Sequence, residues 1–226
     1  MIIGQIGIGI ILKTFVKRFN LGWIIAATLL LDVVLWVFVL FGIESYYIPS
    51  NYDQFHFFAF DFPYSHGLLA CICWTILTFL IIKGYTRRNK IATIMACGVF
   101  ASFLLSIIIH PAEIPLFLNS HKVGIGLCKL RWWDLAFELI ILLTGLIIYY
   151  QSSYSKTYTG KYGLGVFLAL VIYLNFGQQF LLPDPSDFLD TALSSLTALV
   201  TIIAVMYWLD KKRSQKSHHE LTKPRE

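Results

Sequence analysis

Four residues of this chain are of types that bind metals or move protons, and they fall where water is scarce: Asp32, His66, His110 and Glu138. Each lies inside or at the edge of a long apolar stretch, where an ionisable side chain is costly unless it faces a polar interior or a partner. Asp32 stands about halfway along the stretch from Leu21 to Gly42, with Thr28 and Trp36 at i−4 and i+4 on one helical face. Glu138 lies one turn deeper than Asp134 in the stretch from Trp132 to Tyr150. His66 opens the stretch from His66 to Gly84, and His110 closes the one from Ile91 to His110, just before Pro111-Ala-Glu113-Ile-Pro115. Both histidines therefore fall near one level. Neutral imidazole is the commonest metal ligand and carboxylates complete such sites, so the four could converge on zinc, another divalent ion or a proton path. The same residues also fit a plainer role, as hydrogen-bonded glue between helices and as helix caps.

The elements that must position them are membrane spans. A helix needs about 20 apolar residues to cross the roughly 30 Å hydrocarbon core, since lipid cannot satisfy exposed backbone groups. Besides the four stretches already named, Gly163 to Leu182 and Thr191 to Leu209 meet that length, and a shorter Gly-rich segment runs from Ile2 to Val16. The expected fold is an all-α polytopic bundle of about seven transmembrane helices, the first one short. Composition agrees, with 57% hydrophobic and 14% charged residues and a mean hydropathy of +0.69. It leaves one membrane domain, residues 1–210, and a basic tail, residues 211–226.

Loop charge sets the orientation. Lys13, Lys17 and Arg18, then Lys83 to Lys90, then Lys156 and Lys161, then the cluster from Lys211 onward fall in alternate gaps and hold fifteen of the 18 basic residues. The intervening gaps carry Glu44, Asp53, Asp61, Glu113, Asp184 and Asp187. By the positive-inside rule the N-terminus lies outside and the tail in the cytoplasm. The net charge of +5 is spread over these gaps and forms no patch for nucleic acid; the partners expected are the bilayer and a membrane protein. The first segment is no cleavable signal, because its basic residues follow the apolar run. All four cysteines are expected free, with Cys128 alone in an outer loop and open to an impermeant thiol reagent. Gly4, Gly7 and Gly9 suit close helix packing, and so does the four-residue stripe Gly98, Ser102, Ser106.

At these positions the chain resembles the YdjM-like membrane-bound metal-dependent hydrolases of the bacterial inner membrane, and more closely a permease-annotated branch of that family. The matching residues are Leu31-Asp32, Ser65-His66-Gly67-Leu68, His110-Pro-Ala-Glu-Ile-Pro-Leu116, Lys122-Val-Gly-Ile-Gly-Leu127 and Leu135-Ala-Phe-Glu138. The resemblance implies a metal held by a Gly-His, the Leu-Asp, the Ser-His and a Ser-His-x-x-x-Asp. In this chain Gln5, Ser102 and Ser106 replace two of those histidines and the aspartate, leaving Asp32 and His66. A catalytic zinc typically takes three protein ligands, so no cofactor is expected; any metal would need Asp32, His66 and His110.

Three functions follow. One is a silent scaffold or partner-binding protein on a hydrolase-like bundle, which fits the substitutions best. A second is a metal-dependent hydrolase acting on an ester or phosphoester at the outer face. The third is a permease using Asp32 and Glu138 as protonatable groups.

Overall fold

The computed structural model describes residues 1–50, 52, 56–117, 121–181 and 188–215. The tail beyond Gln215, Leu182, and the acidic positions Asp53, Asp184 and Asp187 lie outside these residues. Among the described residues the architecture is a helical bundle with three two-stranded ribbons at its ends. Five helices are each long and apolar enough to cross a bilayer: α4 (Leu68–Thr86), α5 (Asn89–Ile109), α6 (Arg131–Ser152), α7 (Tyr158–Phe180) and α8 (Phe188–Asp210).

Two stretches differ from the sequence expectation. The second is a pair, α2 (Leu21–Thr28) and α3 (Leu30–Leu40), bent by 57° and able to span only as a unit. Thr28 therefore ends one helix while Asp32 sits in the first turn of the next, so the two do not share one continuous helical face. A break leaves the last carbonyls of the first helix without their usual partners. Ser102 Oγ answers one of them, donating to Thr28 O at 2.6 Å. The first stretch, α1 (Ile2–Lys13) with a 3₁₀ turn at Thr14–Val16, spans about 22 Å at 1.5 Å per residue and so falls short of the bilayer core. Among the described residues the spans thus number five, or six with the bent pair, beside this shorter apolar helix.

Instead of lying at the periphery, α1 is enclosed. Ile3, Ile6 and Ile10 are wholly buried. Glycine makes this possible: a Cβ on Gly7 would stand 2.7 Å from the backbone nitrogen of Leu142, and one on Gly145 would stand 2.8 Å from Gly7 O. The backbones of α1 and α6 meet directly. The stripe on α5 is likewise an inner face, with Ser102 and Ser106 fully buried and Gly98 packed against Thr28 and Leu12.

Successive helices alternate in direction, so the basic gaps collect at one end of the bundle. There Lys13 Nζ pairs with Asp210 at 2.9 Å, Tyr149 Oη donates to the same carboxylate at 2.6 Å, and Leu21 N donates to it at 2.9 Å. The ribbon β5 (Ser153–Tyr154) with β6 (Ser214–Gln215) closes that end, and Arg213 bonds to Ser153 and Gly160. At the opposite end β1 (Ser45–Tyr47) pairs with β2 (Ala59–Asp61), and β3 (Ile114–Pro115) with β4 (Lys122–Val123), both antiparallel. A Lys122–Asp61 ion pair of 3.6 Å ties these two ribbons together.

Helix contacts that lack side chains fail when a methyl is forced between backbones, at a cost of about 1–3 kcal/mol for overpacking. Gly7→Ala should lower folded yield and thermal stability in detergent. Gly177→Ala, at a helical position with nothing within 4 Å of the added Cβ, should leave stability unchanged or raised by about 0.5–1 kcal/mol. Equal behaviour of the two variants in a thermal-shift assay would contradict this packing.

Candidate functional site

The enclosed position of α1 brings its polar residues against three other helices. Gln5 Nε2 donates to Asp32 Oδ2 in a short contact, and Gly4 N donates to Glu138 Oε2 at 2.8 Å. The other oxygen of Glu138 takes the amine of Met1 at 2.6 Å. All these groups are buried or nearly so.

The two histidines arrive from the loop end. Helix α4 begins at Leu68, so His66 lies just outside it, in a turn held by Glu44, whose Oε1 accepts from the backbone nitrogens of Tyr64 and Ser65 at 2.8 Å each. Burial pushes the Glu44 carboxyl above its ordinary range. His66 Nδ1 contacts Ser65 Oγ at 3.0 Å, and its Nε2 stands 4.0 Å from Asp32 Oδ1, beyond hydrogen-bond reach. His110 caps the end of α5 and packs against Phe57, Phe60 and Phe62, with its ring centroid 6.3 Å from that of His66. Its neighbour loop is held tight by Gly124, where a Cβ would fall 2.0 Å from Pro111 O.

The structure therefore gathers Gln5, Asp32 and His66 as immediate neighbours, with His110 one ring away and Glu138 at the start of α1, against Gly4 N and the Met1 amine. The serines join differently. Ser102 is committed to Thr28 O and Gly98 O, while Ser106 donates to Ser102 O and contacts Met1 Sδ at 3.3 Å. These donors do not fit a divalent ion. Gln5 directs an N–H at the carboxylate a metal would need, and among the described residues no three His, Cys, Asp or Glu side chains could share one.

Beside the cluster lies a cavity of about 230 Å³. Asp32, His110 and Asp134 form part of its polar wall, and Trp36, Phe57 and Phe60 supply aromatic faces. Several of its buried polar atoms have no partner among the described residues: Asp134 Oδ1, His110 Nδ1, Asn175 Oδ1 and Gln179 Oε1. Sequence reasoning placed Asp134 only as the shallower neighbour of Glu138, yet it is 3% exposed. It missed Asn175 and Gln179 altogether. The signal was there, as amides at 175, 178 and 179 interrupt an otherwise apolar helix end.

Cys128 also departs from expectation. It lies outside the long helices but is buried, and desolvation pushes its thiol up to about 12, so it is a poor target for thiol reagents at neutral pH. Searched against protein-family models, curated proteins and solved structures, the chain matches none of them.

Glu113 supplies a test of the loop end. Its Oε2 accepts from Phe60 N at 3.3 Å, and burial raises its pKa from 4.5 to about 7 despite that bond and the nearby Lys122 and Lys129. The folded loops hold this proton more tightly than the unfolded chain does. Its contribution to stability is therefore full below about pH 4.5 and is lost as pH rises through about 7. Hydrogen exchange of residues 59–61 should accelerate across that window in the wild type and change less in Glu113→Gln; identical pH profiles would rule the linkage out.

Proposed function

We propose that this chain is a multi-pass protein of the bacterial inner membrane that binds a partner or ligand without hydrolysing it, on a bundle of the YdjM-like type. The observation that carries this reading is the Gln5–Asp32 hydrogen bond. It places an amide donor where the resemblance expects a ligating histidine, and Ser102 and Ser106 are committed in the same way to backbone carbonyls. A catalytic site would need open ligand atoms around a water; the closed network favours structure, and the adjoining cavity favours binding.

The reading includes an orientation. The basic gaps at one end favour a cytoplasmic position for Lys13, Arg87 and Lys211, with the start of the short α1 pointing toward the outer side without crossing the core by itself. The cavity then opens toward the outer leaflet. In intact cells, an impermeant maleimide should label Ile125→Cys, a site 73% exposed in the outer loop, and should leave Arg88→Cys unlabelled until the membrane is broken. The reverse pattern would invert the orientation.

The chemical half is tested by zinc titration of the purified protein. The expected result is no saturable site that depends on His66. One zinc per chain, lost in His66→Ala and accompanied by esterase or phosphoesterase turnover, would overturn the binding reading in favour of the hydrolase.

A further inference from the structure

The cavity beside Asp32 is not isolated. Helices α7 and α8 part along their length and leave an apolar cleft of about 710 Å³ between Phe167, Leu170 and Leu174 on one side and Leu193, Thr197 and Thr201 on the other. Leu170, Leu174 and Leu193 are about half exposed, so the cleft opens sideways, toward the position of lipid around a membrane bundle. Ile2, Asn175, Gln178 and Ala198 line both the cleft and the polar cavity. One amphiphile could thus reach from the hydrocarbon into the buried polar wall. Pockets of roughly 300–1,000 Å³ are the usual size for enclosing most of a small ligand.

The polar wall selects the headgroup. Three of its unpartnered atoms are acceptors, Asp134 Oδ1, Asn175 Oδ1 and Gln179 Oε1, so the group that completes them must donate. Asp134 adds a negative charge that forms no ion pair among the described residues. The nearby amine of Met1 is paired with Glu138 instead. Trp36, Phe57 and Phe60 also line the cavity, and aromatic rings of this kind attract a cation. Arg131 also lines the cavity, three residues before Asp134 in the first turn of α6. Its guanidinium lies over Phe180 and gives one hydrogen bond to Gln179 O, but pairs with no carboxylate among the described residues. An unpaired carboxylate beside an unpaired guanidinium complements a zwitterion.

We infer that the cavity and cleft together bind a zwitterionic aminophospholipid, its ammonium at Asp134, its phosphate at Arg131 and an acyl chain between α7 and α8. A primary ammonium supplies three N–H donors for the three open acceptors, and guanidinium binds phosphate through paired hydrogen bonds. This inference rests on the non-hydrolytic binding reading above and names its ligand.

Native mass spectrometry of the full chain in detergent tests it, with phosphatidylethanolamine and phosphatidylglycerol of the same acyl composition as probes. The wild type should retain phosphatidylethanolamine with about a tenfold preference, a difference of roughly 1.4 kcal/mol. Asp134→Asn should remove that preference. Ala198→Trp, a change at an exposed position on the junction, should fold normally and lose retention of both lipids by blocking the passage. Equal retention of the two lipids by the wild type, unaffected by Asp134→Asn, would overturn the headgroup assignment. Free ethanolamine bound by the wild type and by Ala198→Trp, with no lipid retained by either, would overturn the lipid while sparing the binding cavity. Failure of the wild type to hold either lipid or ethanolamine would overturn both this inference and the binding reading beneath it.

Discussion

The rest of the structure depends on the backbone contact between α1 and α6, where Gly7 and Gly145 leave no room for a methyl group on either side. Lipid gives helices no hydrophobic drive to associate, so close packing must hold them together, and only the smallest residues let two backbones approach this far. The contact draws a helix too short to span the bilayer into the middle of the bundle. Gly4 then meets Glu138, Gln5 meets Asp32, and the polar groups of four helices form one neighbourhood.

A second constraint is that each buried polar group needs a partner, since water cannot reach it. The bundle meets this in three ways. At the basic end Asp210 is surrounded by donors from Lys13, Leu21 and Tyr149. At the break between α2 and α3 a serine hydroxyl from α5 takes the place of the missing backbone donor. Near the loop end the rule is broken, and several acceptors around one cavity have no donor among the described residues. Departures of that kind concentrate where a molecule is meant to bind, and the binding proposal above is placed at this cavity for that reason.

Much of the fold was legible because the apolar stretches are long and the charge between them alternates. The five long helices fall within a few residues of where hydropathy places them, apart from α7, which starts five residues earlier, at Tyr158. The glycines of α1 and the small-residue stripe of α5 were readable as packing surfaces because residue size alone decides how near two helices can come. The break at Leu29 was not readable: the sequence around it has neither proline nor glycine, and what stabilises the broken form is a hydroxyl 74 residues away. Cys128 misled for a related reason. Its position outside a span suggested exposure, whereas the loop that carries it folds back and buries it.

Local composition by itself determined that this chain is a helical bundle with segments long and apolar enough to cross a membrane, which segments are helical and which gaps share a charge, because hydrophobicity and charge act residue by residue. It also singled out Asp32, His66, His110 and Glu138, since an ionisable group in an apolar stretch is conspicuous in any sequence. Only the tertiary structure decided which of them meet. Asp32 takes Gln5 and stops short of His66, Glu138 turns to the start of α1, and Asp134 with Asn175 and Gln179 is left facing a cavity. Those outcomes depend on the separation and tilt of helices far apart in sequence, and a hydrogen bond exists or fails over a few tenths of an ångström that no one-dimensional pattern encodes.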